Sequence, residues 1–545
     1  MDGDSTASKT LRMHGNTSHA NREIPGSPAG AESGGAQREV QGPTPLMHEA
    51  GKSDSPIVPK KVANKGRKRA AESLEERGLA ERNSPQATTL RTQGREGVQT
   101  ALGRVRQAAE RQKGGARFTA LLHHVYAIDT LRAAFYSLKR DAAPGVDGET
   151  WADYGRDVEA NLAELSDRVR RGAYRPQPVR RAYVPKQGGQ QQRPIGVAAL
   201  EDKIVQRATV SVLNAVYEPE FAGFSYGARP GRSAHQALAA LDRGLMTKPI
   251  NWVLDADLRN FFGSLSQEHL VRFVEHRIGD KRVVRLIRRW LAAGVLEDGT
   301  WTRSEVGTEQ GGSISPLLAN VYLHYVLDLW AQRWRKTEAQ GEVIIVRYLD
   351  DFIVGFQVQA EAEQFLMVLR ERLEQYGLSL HPDKTRRLEF GRHAAQHQRE
   401  RGQGKPGTFQ FLGFVHSCGR TRKGWFTVRR HTRGDRLRAK LKEVKAELRR
   451  RWHDPIPKVG HWLAAVVRGH CQYYGIAGNA WAIRRFREEV NRLWHRALGR
   501  RSQKGRVKRE RMQRLIKRYI PRVRIVHPWP SVTFAVMTQS KSPVR

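Results

Sequence analysis

One stretch constrains this chain more than any other: Gly341-Glu-Val-Ile-Ile-Val-Arg-Tyr-Leu-Asp-Asp-Phe-Ile-Val-Gly-Phe356. Two apolar runs, Val343 to Val346 and Phe352 to Phe356, flank Tyr348-Leu349-Asp350-Asp351. Such runs around a short polar break predict a hairpin with adjacent acids at its tip. Neighbouring carboxylates between apolar strands repel each other and lose solvation, so they call for a compensating cation. An Asp-Asp turn chosen for its local hydrogen bonds is the common alternative, and a second segment argues against it. Asn251-Trp-Val-Leu-Asp-Ala-Asp-Leu-Arg-Asn-Phe-Phe262 is another apolar run, interrupted by Asp255 and Asp257. On a strand these two acids share one face.

Two acid-bearing strands in one domain can converge to hold a pair of hard cations on oxygen ligands. Two magnesium ions ~4 Å apart are the arrangement that activates a 3′-hydroxyl and steadies a departing pyrophosphate. A third piece supplies positive charge. Ala182-Tyr-Val-Pro-Lys-Gln-Gly-Gly-Gln-Gln-Gln-Arg-Pro-Ile-Gly196 sets Lys186 and Arg193 on two arms of a Gly-rich turn, where an ammonium and a guanidinium can lie against a triphosphate. Alone it reads more readily as a plain basic loop. Beside the acids, the phosphate reading becomes the better one.

Composition narrows the partners. The 545 residues carry 95 Lys and Arg against 55 Asp and Glu, a formal charge of +40. His416 to Arg545 holds 35 of those cations and 7 of the acids, together with Trp452, Trp462, Tyr473, Tyr474, Trp481, Trp494 and Trp529. A segment both aromatic and this basic is expected to fold and to bind phosphates with counterion release. No window approaches the ~18 consecutive apolar residues of a membrane span, so no membrane is expected. Met1 to Ala50 has no apolar core and carries Asp2, Asp4 and Glu23, which fits neither a secretion signal nor a transit peptide. Cys418 and Cys471 are the only cysteines, too few for a disulfide scaffold or a Cys-based zinc finger.

Residues 1–115, rich in Gly, Ser, Pro, Lys and Arg, read as a largely disordered basic region with one short helix around Glu72 to Glu81. Folded sequence is expected from about Phe118. Leu318, Val321, Tyr322 and Tyr325 predict a helix after Pro316. Leu366, Leu369 and Leu373 predict another, closed by Gly377. His393 to Gly407 reads as an exposed loop, and Arg436 to Arg451 as a basic helix with Leu437, Leu441 and Val444 on one face.

With these pieces in order, the chain resembles the reverse transcriptase/maturase proteins encoded by group II introns, from about Phe118 to Pro530. The blocks that carry the resemblance are Ala143-Pro-Gly-Val-Asp-Gly148, the Val184-Pro-Lys to Arg193-Pro-Ile-Gly loop, and Phe224-Ser-Tyr-Gly-Ala-Arg-Pro-Gly-Arg-Ser-Ala-His-Gln236. The Asp257 strand follows, then Gly307-Thr-Glu-Gln-Gly-Gly-Ser-Ile-Ser-Pro-Leu-Leu-Ala-Asn320 and the Tyr348 to Asp351 turn. Leu380-His-Pro-Asp-Lys-Thr385 and Phe411-Leu-Gly-Phe414 close the series.

The resemblance implies an α+β right-hand polymerase: fingers and an antiparallel-sheet palm over 116–415, a helical thumb/maturase domain over 416–490, and a basic nucleic-acid-binding segment over 491–545. It implies an RNA-directed DNA polymerase that also binds its intron RNA to assist splicing and mobility. An RNA-binding splicing maturase without polymerase activity is the alternative. Asp257, Asp350 and Asp351 match the carboxylates that bind two Mg2+ ions. Lys186 and Arg193 match the triphosphate binders, and Phe262 the aromatic that senses the sugar. Gln310, Gly311 and Gly312 would lie beside the incoming nucleotide. Arg229 and Arg232 look like template or nucleotide contacts, and Lys384 belongs to a strand beneath the site, where it is counted among the nucleic-acid-binding residues with a structural salt bridge and a catalytic role both open. Partners would be intron RNA, template RNA, a DNA primer or target and dNTPs, with a homodimer as one open assembly, in a bacterial cytoplasm.

Four positions depart from the family's usual residues: Leu349 for Ala, Glu309 for Pro, Ala228 for an aromatic and Gly263 for Asp. They bear on rate and fidelity and remove no ligand. Val467-Arg-Gly-His-Cys-Gln-Tyr-Tyr474 resembles the family's thumb motif, with Tyr473 and Tyr474 expected in its core, and Arg496 to Arg524 reads as a basic tail along RNA or DNA. Many relatives end in a Cys- and His-containing endonuclease domain. Only His527 lies near this terminus, so the chain is expected to resemble the relatives without it.

Overall fold

A computed structural model describes residues 85–112, 117–185, 192–302, 306–308, 311–501, 507–527 and 529–530. The helix expected over Glu72 to Glu81 lies outside them, as do Lys186, Glu309 and Gln310.

Among the described residues eleven strands form three sheets. In chain order they are β1 (Val179–Pro185), β2 (Gln192–Val197), β3 (Trp252–Asp257), β4 (Val295–Glu297), β5 (Thr300–Thr302), β6 (Val343–Tyr348), β7 (Asp351–Phe356), β8 (Arg386–Glu389), β9 (Phe409–Phe411), β10 (Phe414–Arg420) and β11 (Phe426–Thr432). The central sheet runs β6-β7-β3-β8, each neighbour antiparallel to the next. β2-β1-β4-β5 and β11-β10-β9 form the other two. The content is α+β. Fully buried strands read as unbroken apolar runs, and β6 and β7 bury Val343 to Val346 and Phe352 to Phe356. Helices over Leu200–Tyr217, Ser315–Leu323 and Gln359–Gln375 pack against this sheet and each other around Ile204, Val205, Leu318, Tyr322, Phe365 and Leu369. Gly377, at φ +69°, follows the last of them.

The helix after Pro316 is not regular. Between Ser315–Leu323 and Leu329–Thr337 lies a π turn over His324–Asp328. Such insertions rotate the following side chains and collect at functional places.

After β11 the chain is helical: Gly434–Arg450, Ile456–Tyr474, Ala480–Gly499 and Arg509–Tyr519. Val444, Leu463, Val467, Ile483, Phe486, Val490 and Trp494 form a separate core between them. Each such side chain stabilises the bundle by about 1.5–3 kcal/mol on full burial.

Four expectations need correction. Pro85–Arg111 is a 27-residue helix rather than part of a structureless region, and Leu102, Val105 and Ala109 seat it on the main core. His393 to Gly407 contains a helix, Ala394–Glu400, because Glu389 draws in both His397 (2.7 Å) and Arg401 (3.1 Å) while Ala394 is buried. The division expected at 415 falls inside β10. The one expected at 490 falls inside Ala480–Gly499, whose Trp494 and Leu498 share one core with Ile483 and Phe486.

Candidate active site

The acids sit where the central strands end. β6 and β7 pair Tyr348 with Asp351, leaving a two-residue corner of Leu349 and Asp350. β3 lies on the other side of β7 and pairs Asp257 directly with Asp351, two residues on from Asp255 opposite Ile353. Facing residues of an antiparallel pair bring their Cβ atoms to within ~4.5–5.5 Å. Asp257, Asp350 and Asp351 are therefore neighbours through backbone register alone.

Leu349 adopts φ +57°, a left-handed conformation that costs a Leu of order 1–3 kcal/mol unless its surroundings enforce it. They do. Phe224 to Tyr226 runs beside β6, with Arg347 N donating to Phe224 O and Tyr226 N to Arg347 O, both at 2.9 Å. This brings Gly227 against the corner: a Cβ there would lie 2.5 Å from Leu349 N. Asn320 donates from Nδ2 to Gly227 O (2.8 Å) and accepts at Oδ1 from Arg347 Nη1 (3.0 Å). The same Arg347 nitrogen donates to Leu349 O at 3.1 Å. Its Nε and Nη2 fork onto Asp328, at 2.7 and 2.5 Å. A closed polar network thus runs from the π turn to the acidic corner.

Burial, then the nearby Asp255, Asp257 and Asp350, push the Asp351 carboxyl well above the usual range. Burial and Asp257 also raise Asp350, against the pull of Arg193 and Lys384. Burial raises Asp255, which Arg386 opposes from 3.3 Å. Lys384 Nζ donates to Asp257 Oδ2 at 2.5 Å. Lys384 is thus a counter-cation of Asp257. Among the described residues no three His, Cys, Asp or Glu side chains are already gathered about one point. The donor set itself is oxygen only, the chemistry of hard divalent cations.

Phe262 lies half-buried five residues beyond Asp257, on the short helix Phe261–Ser264. Asn260 precedes it at φ +45°, and its amide fills the space where a Cβ on Gly263 would stand, 2.5 Å away. Thr308 N donates to Phe262 O (2.8 Å). Gly311, at φ +124°, closes on β2, where a Cβ would meet Gly196 O at 2.5 Å. Three residues along β2, Arg193 is exposed on the side facing Asp350. Gly311 thus closes on the strand that carries Arg193, and Arg193 lies close enough to Asp350 to pull its carboxyl down.

Two candidates are engaged with the fold itself. The Arg229 side chain is 1% exposed, forked onto Glu218 at 3.0 and 2.9 Å, and donates to Ala222 O and Ser225 O. Arg232 donates to Gly223 O (2.9 Å) and lies over the Tyr226 ring. Both fold the loop that delivers Gly227. A buried guanidinium needs a carboxylate, and Glu218, eleven residues upstream, provides it. Sequence reasoning also missed Arg347, Asn320 and Asp328. The available signal was a matched pair of opposite charges, each set inside an apolar run.

The Leu412 backbone lies against Asp351 and pulls its carboxyl down, against the larger upward effect of burial. Leu412 and Gly413 turn the β9–β10 corner at φ +47° and +82°. Tyr473 Oη donates to Leu412 O (2.9 Å), and Tyr474 packs on Phe414. The two tyrosines are half-buried and tie the C-terminal helices to the acidic corner.

The sequence profile described as Reverse transcriptase (RNA-dependent DNA polymerase) matches residues 184–416. Protein YkfC of Escherichia coli (strain K12) is 34% identical over 284 residues, 46% of this chain and 73% of that protein. The Group II intron-encoded protein LtrA of Lactococcus lactis subsp. cremoris is 33% identical over 210 residues, 38% of this chain and 34% of LtrA. Nuclear intron maturase 3, mitochondrial, of Arabidopsis thaliana is 27% identical over 194 residues, 32% and 26% of the two chains. The chain thus spans about a third of the length of LtrA and about three quarters of that of YkfC. With profile, relatives and motif order in agreement, this chain belongs to the group II intron-encoded reverse transcriptase/maturase family.

Proposed function

We propose that the chain copies RNA into DNA at the β6–β7 corner and also holds intron RNA to assist splicing and mobility. The observation that carries this reading is the cross-strand pairing of Asp257 with Asp351, with Asp350 beside it. In right-hand terms the β6-β7-β3-β8 sheet is the palm floor and the helices after β11 are the thumb.

Asp257, Asp350 and Asp351 would hold the divalent cations, magnesium in this reading. When bound, such a pair acidifies a primer 3′-hydroxyl and neutralises charge on departing pyrophosphate. The remaining work is positioning. The primer 3′-oxygen bonds to the α-phosphorus of a dNTP as the bond to pyrophosphate breaks. Arg193, together with Lys186 of the same sequence block, binds the triphosphate. Phe262 crowds the position of a ribose 2′-hydroxyl, and Gln310 and Gly311 flank the nucleotide. Lys384 compensates the charge of Asp257. The cleft lined by Arg484, Arg487, Glu488 and Arg522 is one basic surface for intron RNA.

Primer extension on an RNA template, run beside intron-RNA binding, tests the reading. Wild type extends and binds; Asp350→Ala binds alike and does not extend. A wild type that binds intron RNA and never extends overturns the polymerase in favour of an RNA-binding splicing factor.

A further inference from the structure

The β10–β11 hairpin carries features that polymerase chemistry does not use. From Phe414 to Arg433 it holds six cations and no acid. Arg430 and Arg433 pair with Asp242 and Asp435. Arg420, Arg422, Lys423 and Arg429 are exposed and have no acidic partner among the described residues. At the tip Trp425 is 72% exposed, whereas Phe414 and Val428 on the same hairpin are buried.

The tip is built. Thr421 N donates to Trp425 O (2.8 Å) and Gly424 N to Thr421 O (3.0 Å), while Trp425 N donates to Thr421 Oγ1 (3.1 Å). Gly424 takes φ +82° to close the turn. Arg429 lies flat across Gly419, where a Cβ would meet its Nε at 2.5 Å, and donates to Arg420 O (3.0 Å). The indole is therefore presented on a loop already ordered, and little freedom is lost when something covers it.

We propose that this tip is a stacking site for an unpaired base of a bound nucleic-acid strand, with Trp425 as the platform and Arg420, Arg422 and Lys423 on the flanking phosphates. An aromatic face among cations is the combination that holds single strands without reading their sequence. The absence of any acid along the hairpin favours a polyanion over a protein surface of mixed charge. The strands run from the Leu412 corner to the tip, about 20 Å at ~3.3 Å per residue. The stacked base is thus remote from the nucleotide being joined, and the site governs strand binding rather than the rate of chemistry. The inference extends the proposed function by naming a contact for the strand outside the acidic corner.

The test uses the full chain and three probes: a fluorescent single-stranded oligo(U), a blunt RNA duplex and phosphatidylserine vesicles. Trp425→Ala is expected to weaken oligo(U) binding about tenfold and duplex binding by less than about twofold, while Trp425→Phe retains most of the affinity. Arg422→Ala with Lys423→Ala should lower the salt slope for oligo(U) by about 1.4. Incorporation of one dNTP at saturating primer–template should be unchanged in Trp425→Ala. Equal weakening of oligo(U) and duplex, no weakening of either, or loss of vesicle binding alone would each overturn the stacking site. Extension by wild type is scored separately, so failure of the polymerase reading shows as no extension with the oligo(U) contrast intact.

Discussion

Arg347 and Asp328 form a two-pronged ion pair with neither side chain exposed, joining the π turn to the strand that leads into the acidic corner. The pair is nineteen residues apart in sequence. Its remaining Arg347 nitrogen holds the carbonyl of Leu349, whose left-handed backbone sets the direction of Asp350 and Asp351. The conformation that aims the carboxylates is thus enforced from below by buried charge.

Breaking the pair from one side leaves an uncompensated buried charge. Asp328→Asn should destabilise the fold by about 3–5 kcal/mol, read from denaturant midpoints. Arg347→Lys keeps the charge and loses the fork. Single-turnover incorporation should then slow roughly 10–100-fold, with a smaller change in KM for the dNTP. An unchanged rate in a folded Arg347→Lys protein would detach the network from the chemistry.

Arg229 behaves as a structural residue. Arg229→Ala leaves Glu218 without its buried partner and should lower stability by about 3–5 kcal/mol. Affinity for RNA per folded molecule should stay within about twofold. A stable variant with weakened RNA binding would restore the template-contact role.

Phe262→Ala should admit ribonucleotides, because the ring crowds the position of a 2′-hydroxyl. The ratio of dNTP to NTP incorporation should fall about tenfold or more, since relief of one steric clash is worth about 1–3 kcal/mol. An unchanged ratio would return Phe262 to the role of an ordinary core residue.

Acid stability should turn on His416. The ring is buried in β10, stacked on Phe409, and burial followed by Arg430 holds its pKa down to about 3. The folded state therefore carries a neutral imidazole where the unfolded chain takes up a proton near pH 6.5. Its contribution is fully present above pH 6.5 and is lost progressively as pH falls toward 3. His324 and His470, each lowered to about 4, act in the same direction. Urea midpoints for His416→Leu should fall less between pH 7 and pH 5 than those of wild type.

The acidic corner was legible in the chain because the spacing of apolar residues reveals the elements: two unbroken runs flank Tyr348 to Asp351, and in the structure strand pairing sets Asp257 opposite Asp351. The basic helix after β11 was legible for the same reason: Val444 recurs on the face of Leu437 and Leu441. Arg229 misled because most arginines are solvated, and nothing local to Ala228-Arg229-Pro230 reveals Glu218 beneath it. Arg347, Asn320 and Asp328 stayed hidden because each alone reads as an imperfection in an apolar run; only three-dimensional closure makes them one network. The helix Pro85–Arg111 escaped notice because its polar composition resembles a linker; Leu102, Val105 and Ala109, which seat it, do fall at i, i+3 and i+7, but over its last turns alone.

The central claim is that three aspartates from two strands act as one metal-dependent unit. Single-turnover incorporation of one dNTP on an RNA template with Mg2+ should be measured for Asp257→Asn, Asp350→Asn and Asp351→Asn, each shown folded by its melting curve. Each should be slower by roughly 10²–10³-fold or more. Any one of the three incorporating at the wild-type rate would contradict the account.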